Sequence, residues 1–173
     1  MNFFIFIGIL LFLLFMHEMA HCMTAKMLHL PIEEVGFMWK PFPTVFVAVT
    51  DVGIPFNKKF WFLACGNLMT FILFFIYLTA FRADRIVYYA FSLQLIIETN
   101  PFSSDYVQII FSYLYKDKFK RYYAATSLPQ EDPPAFEREF KNEFMFGKIW
   151  YLHFLIWSAF ILLLLFSGRQ YFA

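Results

Sequence analysis

Residues 15 to 21, Phe-Met-His-Glu-Met-Ala-His, put two histidines and a glutamate at the end of a run, Phe3 to Met16, in which every residue is apolar or glycine. Ionisable groups at membrane depth are costly, so their presence there points to function. His17 and His21 are four residues apart, so on a helix they face the same way and can share one metal ion. A neutral imidazole is a good zinc ligand. Zinc lowers the pKa of a bound water to about 7, and Glu18, beside the metal, can accept the proton. His17-Glu18-Met19-Ala20-His21 is therefore an H-E-x-x-H arrangement, suited to hydrolysis by an activated water.

A catalytic zinc takes three protein ligands and leaves one position open. The residues after His21, Cys-Met-Thr-Ala-Lys-Met-Leu, bring no third histidine. The other acids in the membrane portion are Glu98 and Asp105, and the residues alone leave both open as third ligand. In an unbroken helix, seven residues would set them on one face about 10 Å apart along the axis, so only one could be level with the histidines. Depth along the segment favours Glu98. Pro101, which cannot donate a backbone hydrogen bond, interrupts the helix between them and frees Asp105 to turn inward.

The elements that must position these groups are apolar. The chain has 173 residues, 61% hydrophobic and 24% aromatic, with mean hydropathy +0.58. Soluble domains are about 45–50% apolar, so the sequence predicts an integral membrane protein folded as a single domain over 1–173. The expected fold is mainly α, with about four transmembrane helices and a small β-hairpin or sheet between the first and second. The spans are expected at 3–30, 60–81, 86–115 and 149–166. The third is broken at 98–105, where Glu-Thr-Asn-Pro-Phe-Ser-Ser-Asp interrupts apolar sequence. Such a break is tolerated at membrane depth only where protein or water covers it. In the last span Trp150, Tyr151 and Trp157 are placed to anchor near an interface.

Pro31, Pro41, Pro43 and Pro55 punctuate the stretch between the first two spans, and Thr-Val-Phe-Val-Ala-Val-Thr (44–50) has strand composition. Residues 116–148 form the hydrophilic loop. It holds a linker, Leu-Pro-Gln-Glu-Asp-Pro-Pro, and a surface helix with Phe136, Phe140 and Phe144 on one face. With the N-terminus outside, eleven of the fourteen Lys and Arg residues are cytoplasmic and Arg82, Arg85 and Arg169 are outside. The positive-inside bias favours that orientation, with 116–148 cytoplasmic. No Lys or Arg precedes Lys26, so the first segment is expected to stay in the membrane rather than be cleaved as a signal peptide. A net charge of +1 gives no reason to expect nucleic acid as a partner. Cys22 and Cys65 form no CxxC, so neither a disulfide framework nor a thiolate zinc site is expected. His29 and His153 are assigned no chemical role.

The chain resembles the site-2 protease family of intramembrane zinc metalloproteases. His-Glu-Met-Ala-His is followed by Ala25-Lys26 and then by Ile-Glu-Glu-Val-Gly-Phe, as in that family. Ala-Cys-Gly-Asn-Leu-Met-Thr-Phe-Ile-Leu is similar to its Gly-Pro-x-x-Asn stretch, with Asn67 where proline is usual. Thr-Asn-Pro-Phe-Ser-Ser-Asp-Tyr is similar to its Asn-Pro segment ending in a ligand Asp, one residue shorter here and with Tyr106 in place of glycine. These pieces cover roughly residues 10 to 110. The resemblance implies one catalytic Zn2+ held by His17, His21 and Asp105, with Glu18 as the catalytic proton acceptor. It implies a membrane-inserted peptide or single-span protein as substrate, unwound into a strand beside Val45 and Val47, with Asn100 holding the substrate backbone or the oxyanion. There is no room for the family's PDZ or CBS additions, so this would be a minimal core, selecting substrate through its hairpin, its loop or a membrane partner. Two candidate substrate classes follow, small precursor or remnant peptides and a membrane-bound regulator.

Two other classes compete. A di-iron membrane hydroxylase needs more histidines than the four present, and is set aside. A non-catalytic membrane protein, a transport subunit or immunity-type protein with or without zinc, predicts that Glu18 is dispensable.

Overall fold

Each long apolar run is a helix, the form in which one segment satisfies its own backbone hydrogen bonds. The computed structural model describes residues 2–38, 44–49, 54–80, 84–125 and 144–171. Among these, the order is α1 (Asn2–Met27), β1 (Ile32–Met38), β2 (Thr44–Val49), α2 (Phe56–Ala80), α3 (Arg85–Glu98), α4 (Asp105–Ala125) and α5 (Lys148–Tyr171). The fold is mostly helical, with one two-stranded antiparallel sheet between α1 and α2. α1, α2 and α5 are long and apolar enough to cross a membrane. The expected third span is two helices, α3 and α4, joined by the polar break. The expected linker and most of the expected surface helix, with Phe136 and Phe140, lie outside the described residues. Phe144 is described, and it is buried against Phe111 and Trp150.

α1 ends three residues before the expected Leu30, for a local reason. His29 adopts a left-handed backbone with φ of 53°. The Leu30 amide donates to the Ala25 carbonyl and the His29 amide to that of Lys26, which is the Schellman pattern of a helix end. Leu30 packs in the same apolar cluster as Ala25, and Lys58 Nζ donates to the Leu28 carbonyl at 2.8 Å. The chain then turns into the hairpin, paired from Ile32 opposite Val49 to Met38 opposite Thr44, with a bulge at Glu33. Val47 and Val49 pack on the Ala25, Leu30, Phe62 and Leu63 cluster.

The helices meet along a narrow seam. On α1 the buried residues Leu13, His17, Ala20, His21 and Ala25 recur every three or four positions, which is one helical stripe. Phe4, Phe12, Phe15 and Met23 lie exposed on its other faces, as lipid-facing residues would. α1 packs on α2 and α3, α2 on α4, and α3 on α5. Leu13 belongs to one apolar cluster, with Phe74, Phe91 and Leu95, and Ala25 belongs to another. The two histidines lie on α1 between these clusters.

Candidate metal centre

The site starts from one helical turn of α1. His17 and His21 project from the buried stripe with ring centroids 4.8 Å apart, and their Nε2 atoms are 3.1 Å apart. Gly66 of α2 makes room for both rings. A Cβ built there would fall 2.5 Å from His17 Nε2 and 2.6 Å from His21 Nε2, closer than real Cβ atoms come, so a side chain at 66 would fill the site.

The break in the third segment supplies the rest. α3 ends at Glu98 with Thr99 as its C-cap, and α4 starts at Asp105 after a turn. Asn100 holds that turn. Its Oδ1 accepts from the amides of Phe102 and Ser103, both at 2.9 Å, and its Nδ2 donates to the Ile97 carbonyl. The amide expected to face a substrate is thus engaged with its own backbone. Ser104 caps α4 through the amide of Val107, which aims Asp105 at the histidines. Asp105 Oδ2 is 3.3 Å from His17 Nε2 and 3.3 Å from His21 Nε2.

The tautomers follow from the partners. His17 Nδ1 donates to Glu98 Oε1 at 2.8 Å, and His21 Nδ1 donates to the Phe62 carbonyl at 2.7 Å. Both partners accept, which assigns each proton to Nδ1 and leaves each Nε2 with a lone pair. Two imidazole lone pairs and a carboxylate oxygen therefore converge, and three acceptors gathered in a buried place call for a cation. Donors at about 2.0–2.2 Å from a tetrahedral ion are separated by roughly 3.3–3.6 Å, close to the observed triangle. His17, His21 and Asp105 could hold a metal ion. Asp105 is the most open of the three, with its side chain 19% exposed.

Glu98 reaches the site one layer out. Besides His17 Nδ1–H, its Oε1 accepts from Thr70 Oγ1 at 2.7 Å and Gln94 Nε2 at 2.8 Å. A carboxylate on the far nitrogen of a metal-binding histidine fixes the ring and raises its basicity. Glu98 and Asp105, which competed for one role in the sequence, thus take two different places. Glu98 and Asp105 would together set two negative charges near a divalent cation held there, which would lower the cost of burying it. Glu18 is half-buried on α1 outside the three-donor group. Val45 and Val47 sit half-buried in β2.

The break leaves carbonyls without helical partners, and α5 satisfies them. Trp150 Nε1 donates to the Pro101 carbonyl at 2.8 Å, His153 Nε2 to that of Thr99 at 3.1 Å, and Trp157 Nε1 to that of Ile96 at 3.0 Å. The sequence reading missed this. Trp150, expected as an interface anchor, is 4% exposed, and His153 was given no role. The signal was their spacing, since positions 150, 153 and 157 share one helical face. No family model, curated protein or solved structure matches the chain.

Proposed function

We propose that the protein is an intramembrane zinc metalloprotease of the site-2 type, cleaving membrane-inserted peptides. The proposal includes four membrane crossings, with the paired α3 and α4 making the third, the N-terminus outside and residues 116–148 cytoplasmic. The observation that carries it is the convergence of His17 Nε2, His21 Nε2 and Asp105 Oδ2 beside Glu18. Two imidazoles and a carboxylate suit zinc, and three protein ligands leave a position open for chemistry. When bound, zinc supplies Lewis acidity and a water acidified to near neutral pH.

The chain's own residues do the rest. Glu98 and the Phe62 carbonyl hold the imidazoles in the tautomer that presents Nε2. Glu18 accepts the proton from the attacking water and passes it to the leaving amine. The apolar clusters on either side of the histidines keep bulk water away, and the opening at Asp105 admits the substrate. An extended segment of the substrate pairs along the hairpin near Val45 and Val47. The two candidate substrate classes are small precursor or remnant peptides and a membrane-bound regulator.

The test is to compare peptides accumulating in the membranes of cells making the native protein and of cells making Glu18→Ala. Discrete membrane peptides that build up only with the variant are expected. Indistinguishable membrane peptides in the two strains would contradict proteolysis and favour a non-catalytic membrane protein.

A further inference from the structure

A cavity of about 190 Å³ lies between β2, the turn after α1, the start of α2 and α4, and it shares Phe62 with the candidate metal centre. Most of its walls are apolar, Leu30, Val47, Val49, Ile54, Phe62 and Leu63, and the cationic Lys59 lines it as well. Gln108 also lines it.

Three of its features connect it to the chemistry. Phe62 is shared, because its carbonyl accepts from His21 Nδ1 and its ring lies 5.0 Å from the His21 ring, centroid to centroid. Gln108 follows Asp105 by three residues on α4, so it lies on the same face one turn further on. It is exposed, and its amide can both donate to and accept from a peptide backbone. β2 forms the third wall, and in a two-stranded sheet each strand keeps one unpaired edge among the described residues.

We infer that this cavity is a specificity pocket, taking one large apolar side chain of the substrate, of leucine, methionine or phenylalanine size, next to the bond that is cut. The inference rests on the proteolytic reading of the metal centre and names what that centre selects. The size fits, since an apolar cavity of roughly 150 Å³ accepts benzene. So does the position, because a strand running along the hairpin presents alternate side chains to one face. A side chain seated against Phe62 then puts its own backbone beside His21 and Asp105, within reach of the Gln108 amide. Alanine and glycine at that position leave the pocket unfilled and a cationic residue would meet Lys59 there, so these are rejected.

The experiment measures binding to zinc-loaded full-length protein in detergent, using three hydroxamates as metal-seeking probes. One is acetohydroxamate. The other two are peptide hydroxamates identical except for the side chain nearest the chelating group, isobutyl in one and methyl in the other. The isobutyl probe should bind at least about tenfold tighter than the methyl probe, the scale of filling an apolar pocket. Val49→Phe and Ile54→Phe each place a ring in the cavity and should reduce that preference to within about threefold. Both should leave acetohydroxamate binding unchanged, which also reports that the variant is folded. Acetohydroxamate binding without side-chain preference, or a preference that survives both substitutions, would overturn the pocket and leave the metal centre standing. Failure of all three probes to bind would overturn the metal reading and the pocket with it.

Discussion

At the scale of residues, the pairing of His17 with His21 was legible because helix periodicity alone fixes their relation. The difference between Glu98 and Asp105 was not. It depends on how the chain turns between them, and the sequence shows only that Asn-Pro disturbs the helix. The structure gives them distinguishable roles, and substitutions separate them. Asp105→Ala removes a donor from the triangle and should abolish zinc retention. Glu98→Ala removes the group that orients His17 and should lower zinc affinity by about 10–100-fold without abolishing it, the usual scale for such outer partners. Equilibrium competition with a chelator of known affinity measures both; a larger loss from Glu98→Ala than from Asp105→Ala would show the roles reversed. Glu18 is expected to move protons without holding metal. Glu18→Gln should keep zinc while hydrolysis of an accumulated membrane peptide falls at least about a hundredfold.

At the scale of elements, the three apolar helices and the hairpin could be read from apolar runs and β-branched composition. Their ends could not, since they are set by caps. α1 stops early because His29 turns left-handed, a conformation that costs a side-chain-bearing residue about 1–2 kcal/mol. His29→Gly should therefore raise the thermal unfolding midpoint in detergent, and a lowered midpoint would mean that the imidazole makes a contribution of its own. The way a polar break survives between helices was also hidden, because its partners lie some fifty residues away on α5. Trp157→Phe keeps the ring but leaves the Ile96 carbonyl without its donor. The expected loss is about 1–3 kcal/mol of stability, the cost of an unsatisfied buried group, read as a lower unfolding midpoint. Gly66 is more severe. Gly66→Ala puts a methyl where the imidazoles stand and should eliminate zinc binding in protein that still inserts in membranes.

At the scale of the whole molecule, composition predicted apolar spans, three helices are long and apolar enough to cross a membrane, and the exposed Phe, Leu and Met side chains on α1, α2 and α5 are what lipid would cover. The charge bias sets the proposed orientation, and single cysteines at residues 84 and 120 test it. Residue 120 should be labelled from the cytoplasm and residue 84 from outside; the reverse would invert the side from which water reaches Asp105. What the molecule does depends on whether four segments gathered around His17, His21 and Asp105 hold a metal. Elemental analysis of the purified protein, prepared without chelators and exchanged into zinc-free buffer, measures this directly. About one zinc per chain is expected for a single three-ligand site, with none in His21→Ala protein recovered from the same membranes. Native protein that carries no zinc, and takes up none when zinc is supplied, would contradict the account.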